Sequence, residues 1–529
     1  MNELKVYLTR DGIGDLEAAL VNPTNPDSVL AQLQEIGLAP NTELEGGKLL
    51  WGTQKTKTPA WMGFLNEIAA EPLEGGAGES RAGILALPRA GRIFIFTFGQ
   101  AWHAIDPSAI EDQFGIRVAL NTLDMDRVKT VDTRTLSAFP LHTTRQLSRA
   151  GPIDEFRIGF LDEFVNLVQA IPASGDFGDL VTGRDSLVLK KTVTPAELPQ
   201  LCDILWDAFN DTRYREIWPL LERLRSVRDP TILRILDESL AHAVQHSPAK
   251  VHIGTPEVFD LEGIEGFRFA GNRASTTIRS IEPEATEYLL LHQASQIEAA
   301  DLRKDRLEAI SADGLVAKKW PVFKCIQWET ELDDTHYVVN DGKWYSVDPQ
   351  FQSELDQRLL AATCNRLSLP EALHHEDEQT YNERAAQEID CACADRKLVR
   401  IPQHSSPIEI CDLFTVDKAL IHVKIYRGSS NTSHLLGQGV VSAEALRNGD
   451  VVKEFKKVLK NKCKRLAEAD VVGHPVNPRE YTVVYALVVP KRFQFPQDLP
   501  VFTKIFADKN LETLEQMGYK ACMVPIFRR

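Results

Sequence analysis

The chain has no apolar run as long as the ~18 residues a membrane-crossing helix needs. Its first residues, Met1-Asn2-Glu3-Leu4-Lys5-Val6-Tyr7-Leu8, lack the basic start and apolar centre of an export signal and read as a strand. We therefore expect a cytoplasmic protein with no membrane partner. Cysteine is sparse, with 8 in 529 residues. Cys202, Cys325 and Cys522 sit beside apolar neighbours, as reduced core residues of a cytosolic protein do. Cys391, Cys393 and Cys411, with His404 between them, do not have the paired spacing of a zinc site and are read as packing residues. No G-x-x-x-x-G-K-[ST] segment occurs, so ATP hydrolysis is not expected. Gly437-Gln438-Gly439 lacks the third glycine and the preceding strand of a dinucleotide fingerprint. His242 and His246 lie four apart, but no glutamate follows His242, which excludes a zincin helix.

Positive charge is in deficit, with 60 Lys and Arg against 75 Asp and Glu, a net charge of -15. That excludes a protein that coats nucleic acid with its whole surface. It leaves room for a local basic groove, because the field that reaches a phosphate is local. What is present is ordinary for a folded chain: 43% hydrophobic and 26% charged residues. At about 150 residues per domain the length predicts three or so domains. No internal repeat or low-complexity tract is found.

Alternation and turn signals predict a mixed α/β region over 1–190, with a hairpin of runs 81–87 and 92–98 around Pro88-Arg89-Ala90-Gly91. Apolar residues at three- and four-residue spacing predict a helical segment over 191–250. A second α/β region over 251–365 carries a predicted helix at 284–311. It also carries a hairpin around Asn340-Asp341-Gly342, where Asp-Gly tolerates positive φ. A last domain is expected over 366–529. There the elements run helix 371–389, strands 397–401, 408–414 and 419–426, helices 433–447 and 451–469, strand 481–490, a helix near 511–517 and strand 520–527. The strand at 481–490 is continuously apolar, the pattern of one buried on both faces.

Three of these last elements carry chemistry together. The helix bears Glu383, the strand Ile408-Glu409-Ile410-Cys411-Asp412-Leu413 ends on an acid, and the next strand contains His422 and Lys424 on one face. A lysine on an apolar strand is costly unless it meets solvent, a carboxylate or a site. Carboxylates hold a hard cation such as Mg²⁺, and a nearby lysine orients water or stabilises charge developing on a phosphate.

On these residues the C-terminal region resembles the PD-(D/E)xK restriction-endonuclease superfamily, which implies an α-β-β-β-α-β core. By position the resemblance implies Asp412 as the first acid, Lys424 as the lysine and Glu383 as the helix acid. His422 stands where that pattern usually has an acid or Gln, and imidazole suits Mn²⁺ better than Mg²⁺. Glu409 is then the candidate second metal carboxylate. The chain as a whole resembles a sporadically distributed bacterial family of uncharacterised function found in mobile or defence-related regions. The resemblance rests on Ile408 to Leu413, on Leu420 to Lys424 and on Ser429-Ser430-Asn431-Thr432-Ser433-His434-Leu435-Leu436-Gly437-Gln438-Gly439. The Leu4 to Leu8 strand and Phe114-Gly115-Ile116 add to it.

Other segments supply candidate nucleic-acid contacts. Lys456 and Lys460 belong to a run from Lys453 to Arg465 that reads either as a phosphate-binding face or as a solvated helix face. Ser430, Ser433 and His434 precede a predicted helix, where they would cap it or meet an anion. Gln438 follows on that helix. Thr143-Thr144-Arg145-Gln146-Leu147-Ser148-Arg149 reads as a polar, basic loop. The expectation is an α/β protein that cuts nucleic acid, DNA in the first instance, with Mg²⁺ or Mn²⁺. The alternative is an inactive nuclease-fold module that binds nucleic acid or senses a phage or defence-complex protein.

Overall fold

In the computed structural model, the described residues are 3–21, 33–36, 38, 44–55, 79–135, 141–159, 163–256, 264–271, 283–292, 296–311, 314–364, 367–399, 407–426 and 429–529. The architecture is mixed α/β and divides into two compact units. Among the described residues no helix is long and apolar enough to cross a membrane.

The first unit, 1–134 with 142–219, is built on one ten-stranded sheet. The hairpin expected near its centre forms from Glu79–Arg89 and Arg92–Gly99. Its turn needs only Ala90 and Gly91, at φ 51° and 73°, the left-handed pair that matches strand twist. Leu4–Leu8 pairs antiparallel with both Arg92–Gly99 and Leu187–Lys190 and so stands inside the sheet. Helix Phe114–Thr122 packs on this sheet, and Phe94, Phe96, Phe114 and Phe209 share one core. Gly115 lies so close to the backbone of Ser186 that a Cβ would overlap its carbonyl, which explains a glycine inside an apolar helix. The segment expected as a basic loop is instead the strand His142–Gly151. Its Arg145 is held by Glu163 at 2.6 Å, so a partner across the sheet decided its conformation.

The second unit is 220–529 with 135–141. The helix expected at 284–311 divides into Ala285–His292, Ala299–Lys304 and a strand, Arg306–Ser311. That strand pairs on both sides, with Ile264–Ala270 and Val316–Pro321, so sheet pairing overrides a helix-like apolar spacing. The second expected hairpin forms from Thr335–Asn340 and Lys343–Val347, with Asp341 and Gly342 at φ 49° and 72°.

The last sheet has the order Ala392–Cys393, Leu413–Phe414, Ala419–Ile425, Thr482–Pro490, Lys520–Arg528. The first three strands are an antiparallel meander, and the last three run parallel. Parallel pairing needs crossovers, supplied by helices Ser429–Ala445 and Val501–Gln516 among others. Val483 to Val489 are buried, as a strand covered on both faces requires. On one face Leu420, Tyr485 and Leu487 pack with Leu435, Leu436 and Leu511. On the other, Ile421, Val423 and Val484 pack with Tyr381, Ala385 and Ala386 of helix Glu378–Glu388. This helix starts later than expected because Asp377 caps it, accepting from Thr380 N at 2.8 Å.

Three more expectations are corrected here. The strand predicted at 397–401 gives way to Ala392–Cys393 in the sheet, while Val399 makes only a bridge to Ile408 and 400–401 fall outside the described residues, as does His404. The run 408–414 pairs in the sheet only at Leu413–Phe414. The helix predicted over 451–469 divides into Gly449–Lys457, a π-helical turn Val458–Lys462 and Leu466–Val471, with Lys464 at φ 54°. An added residue in a turn and a left-handed residue both break the regular helical ladder.

Candidate functional site

The site lies where two strands part. Leu413 pairs with Ile421, and Asp412 N still donates to Ile421 O at 2.9 Å. Beyond that point the strand of Asp412 leaves the sheet, and among the described residues no strand pairs with that edge of Ala419–Ile425. Carboxylates take over. Asp412 Oδ2 accepts from Val423 N at 2.6 Å, and Glu378 Oε1 accepts from Ile425 N at 3.2 Å. Buried amides must find acceptors, so the fork itself requires acidic side chains or water at this edge.

Two further carboxylates converge on Asp412. Ligand oxygens of Asp395, Glu409 and Asp412 all lie within 4.8 Å of one another. All three residues are half-buried. Asp395 arrives from the turn after strand Ala392–Cys393, and Ala394 N donates to Asp412 O at 2.7 Å to dock that turn. Glu409 is steered by the backbone N–H of Arg396, a residue at φ 57°. Burial, opposed by the Val423 N–H bond and reinforced by Glu409 and Asp395, pushes the Asp412 carboxyl up to about 8; Lys424 pulls it back in part. Burial also raises Glu409, with Asp395 adding to it and Lys424 opposing. Three converging carboxylates, with Asp412 and Glu409 raised in proton affinity, are a donor set that a hard divalent cation relieves.

Lys424 reaches the same neighbourhood, but its Nζ bonds Glu378 Oε2 at 2.8 Å. Glu378 is the first residue of its helix and so also meets the favourable end of the helix dipole. Glu383 is exposed one turn further on and accepts from Gln379 Nε2 at 2.9 Å. The fork therefore gathers Asp412, Glu409 and Lys424 with Asp395 and Glu378, and leaves Glu383 at its margin. Asp395 and Glu378 carry no signal in the linear pattern beyond their acidity.

His422 is buried beside Tyr485, with ring centroids 6.3 Å apart, and its Nε2 has no hydrogen-bond partner among the described residues. Burial lowers its pKa to about 4, so it is neutral. It shares the strand face of Lys424, but its ring does not join the set of Asp395, Glu409 and Asp412.

A family model described as a family of unknown function, DUF6119, matches residues 4–526. The chain belongs to the DUF6119 family. No curated protein and no solved structure matches it. The remaining candidate residues of this DUF6119 chain lie on the crossover helices. Ser430, Ser433 and His434 fall within the first turns of helix Ser429–Ala445 rather than before it, and their side chains lie outside the described ones. Gln438 is half-buried on the same helix. Next to it, Gly439 has no room for a side chain: a Cβ would lie 2.5 Å from the hydroxyl of Tyr485, which bonds Leu436 O at 2.8 Å. Lys456 is half-buried at the end of its helix, and Lys460 pairs with Asp470 at 3.2 Å.

Proposed function

We propose that the forked edge of the C-terminal sheet is a metal-dependent nuclease site that hydrolyses phosphodiester bonds of DNA, within a bacterial anti-phage or restriction-type defence system. The observation that carries this reading is the convergence of Asp395, Glu409 and Asp412 within 4.8 Å, where strand Leu413–Phe414 separates from the strand of Lys424. The order of elements supports it: one helix, three antiparallel strands, a helix and a parallel strand resemble the PD-(D/E)xK core.

Asp412, Glu409 and Asp395 would hold the cation, and an all-carboxylate set fits Mg²⁺ or Mn²⁺. When bound, the cation would supply Lewis acidity toward water and a phosphoryl oxygen. Glu383 would join the set only by leaving Gln379. Lys424 would turn its ammonium from Glu378 to the phosphate, where charge develops. Glu378 positions that ammonium. His422 would support the lysine strand by packing against Tyr485.

A second reading has its own observation. Lys424 is already neutralised by Glu378, and a buried His422 stands where the resembling enzymes carry an acid. That combination suits a module that binds nucleic acid, or senses a phage or defence-complex protein, without cutting. The deciding experiment is cleavage of plasmid, linear DNA and RNA by wild type, Asp412→Ala and Lys424→Ala, with Mg²⁺ and Mn²⁺ compared. Cleavage by wild type that both variants lose supports the nuclease. Binding retained in EDTA, with no cleavage under either metal, supports the module instead.

A further inference from the structure

The acidic chain carries a local concentration of positive charge beside the carboxylate cluster. The turn that delivers Asp395 continues into Arg396 and Lys397. Onto this same stretch docks the end of the π-helical turn, through three contacts. Cys463 Sγ bonds Cys393 O at 3.1 Å. Arg465 bonds both Asp390 Oδ1 at 2.8 Å and Asp390 O at 2.6 Å. These contacts bring Lys462 and Lys464, which flank Cys463, against the segment 390–397. Burial raises the proton affinity of the Cys463 thiol, and the charges of Lys397 and Lys462 both oppose this, so both lie within electrostatic reach of it.

The cations of this run are not alike. Lys453, Lys457 and Lys460 are paired with Asp450 at 3.2 Å, Glu454 at 2.6 Å and Asp470 at 3.2 Å. Lys397, Lys462 and Lys464 have no ion-pair partner among the described residues, and Lys462 and Lys464 are exposed. Arg396 is exposed, and its guanidinium contacts Gln379 at 2.7 Å. Lys397 and Lys462 converge on the Cys463 thiol, and like charges with no ion-pair partner among the described residues repel one another unless an anion lies across them. The carboxylates of Asp395 and Glu409 begin at the inner edge of the same surface.

We propose that Arg396, Lys397, Lys462 and Lys464 form a track for the phosphodiester backbone of the nucleic acid. The proposal deepens the nuclease reading and rests on it for the direction in which the strand runs, toward Asp412. The break of the helix at Val458–Lys462 then has a use, because a regular helix would carry Lys462 and Lys464 to different faces.

The test is binding of a labelled DNA duplex and a labelled single strand by the full chain in EDTA, as salt is varied. Wild type is compared with the triple variant Lys397→Gln, Lys462→Gln, Lys464→Gln and with the control Lys453→Gln, Lys457→Gln. Each lost phosphate contact lowers the slope of log affinity against log salt by about 0.9 for duplex and 0.7 for single strand. The triple variant should therefore lose about 2 to 3 of that slope and bind about tenfold or more weakly, with the control unchanged. A triple variant that binds as wild type does overturns the track, while Asp412-dependent cleavage in parallel reactions would leave the nuclease reading standing. Wild type that neither binds nor cleaves overturns both.

Discussion

Asp412 Oδ2 accepts the Val423 amide at 2.6 Å, making by a side chain the bond that a neighbouring strand would make by its backbone. The sheet thus ends in carboxylate chemistry at the point where its strands separate. Removing that carboxylate while keeping its shape tests what it is for. Asp412→Asn can still accept from Val423 N, so the fold should persist, whereas cleavage should fall by about 10²-fold or more, since even outer groups around a metal are worth 10–100-fold. Lys424→Ala should fall comparably, yet cost at most about 1 kcal/mol of stability, because its ion pair with Glu378 is partly solvated. Cleavage rates and urea midpoints of the two variants give both quantities.

The raised proton affinity of Asp412 predicts a pH effect of definite sign. Its carboxyl sits at about 8 in the folded chain and near 3.9 when unfolded. Between those values the folded state binds the extra proton, so stability falls as pH rises through the window. In EDTA the melting temperature should decline from pH 5 toward pH 8, and Asp412→Asn should flatten the decline. Added Mg²⁺ should restore stability at the upper end. A profile identical in wild type and Asp412→Asn would show that this carboxyl is not the source.

His422 predicts the opposite slope. Its folded pKa is lowered to about 4 by burial, against about 6.5 when unfolded. The unfolded chain binds the proton first, so stability is full above pH 6.5 and is lost as pH falls toward 4. His422→Phe keeps a ring beside Tyr485 and removes a buried nitrogen that has no hydrogen-bond partner among the described residues. Denaturation at pH 4.5 and pH 7 should show that the variant has lost the acid sensitivity without weakening at neutral pH.

Gly439→Ala should destabilise the chain by about 1–3 kcal/mol, the cost of forcing a methyl into a packed contact. The added Cβ meets the Tyr485 ring and hydroxyl at 2.5 Å and must displace the bond to Leu436 O. Gly437→Ala, where nothing lies within 4 Å, is the matched control and should not weaken the protein. Their urea midpoints would separate a packing glycine from a permissive one.

What was legible in the sequence was local. Ala90-Gly91 and Asp341-Gly342 announce left-handed turns because few residues adopt positive φ. The apolar run ending at Pro490 announces a strand covered on both faces, and the spacing of His422 and Lys424 places them on one face. Asp412 and Lys424 stand out as charges at the ends of apolar strands.

Only the tertiary structure decided the rest. Whether 306–311 joined a helix or a sheet depended on partners distant in sequence, and those partners were strands. The run 451–469 broke where it met the segment 390–397. Asp395, rather than Glu383, joined Glu409 and Asp412 because its turn docks on Asp412 through Ala394 N, while Glu383 stays exposed beside Gln379. Backbone dihedrals and side-chain period are properties of a few consecutive residues and can be read along the chain. The meeting of charges from separate elements depends on how those elements pack, which no short window of sequence contains.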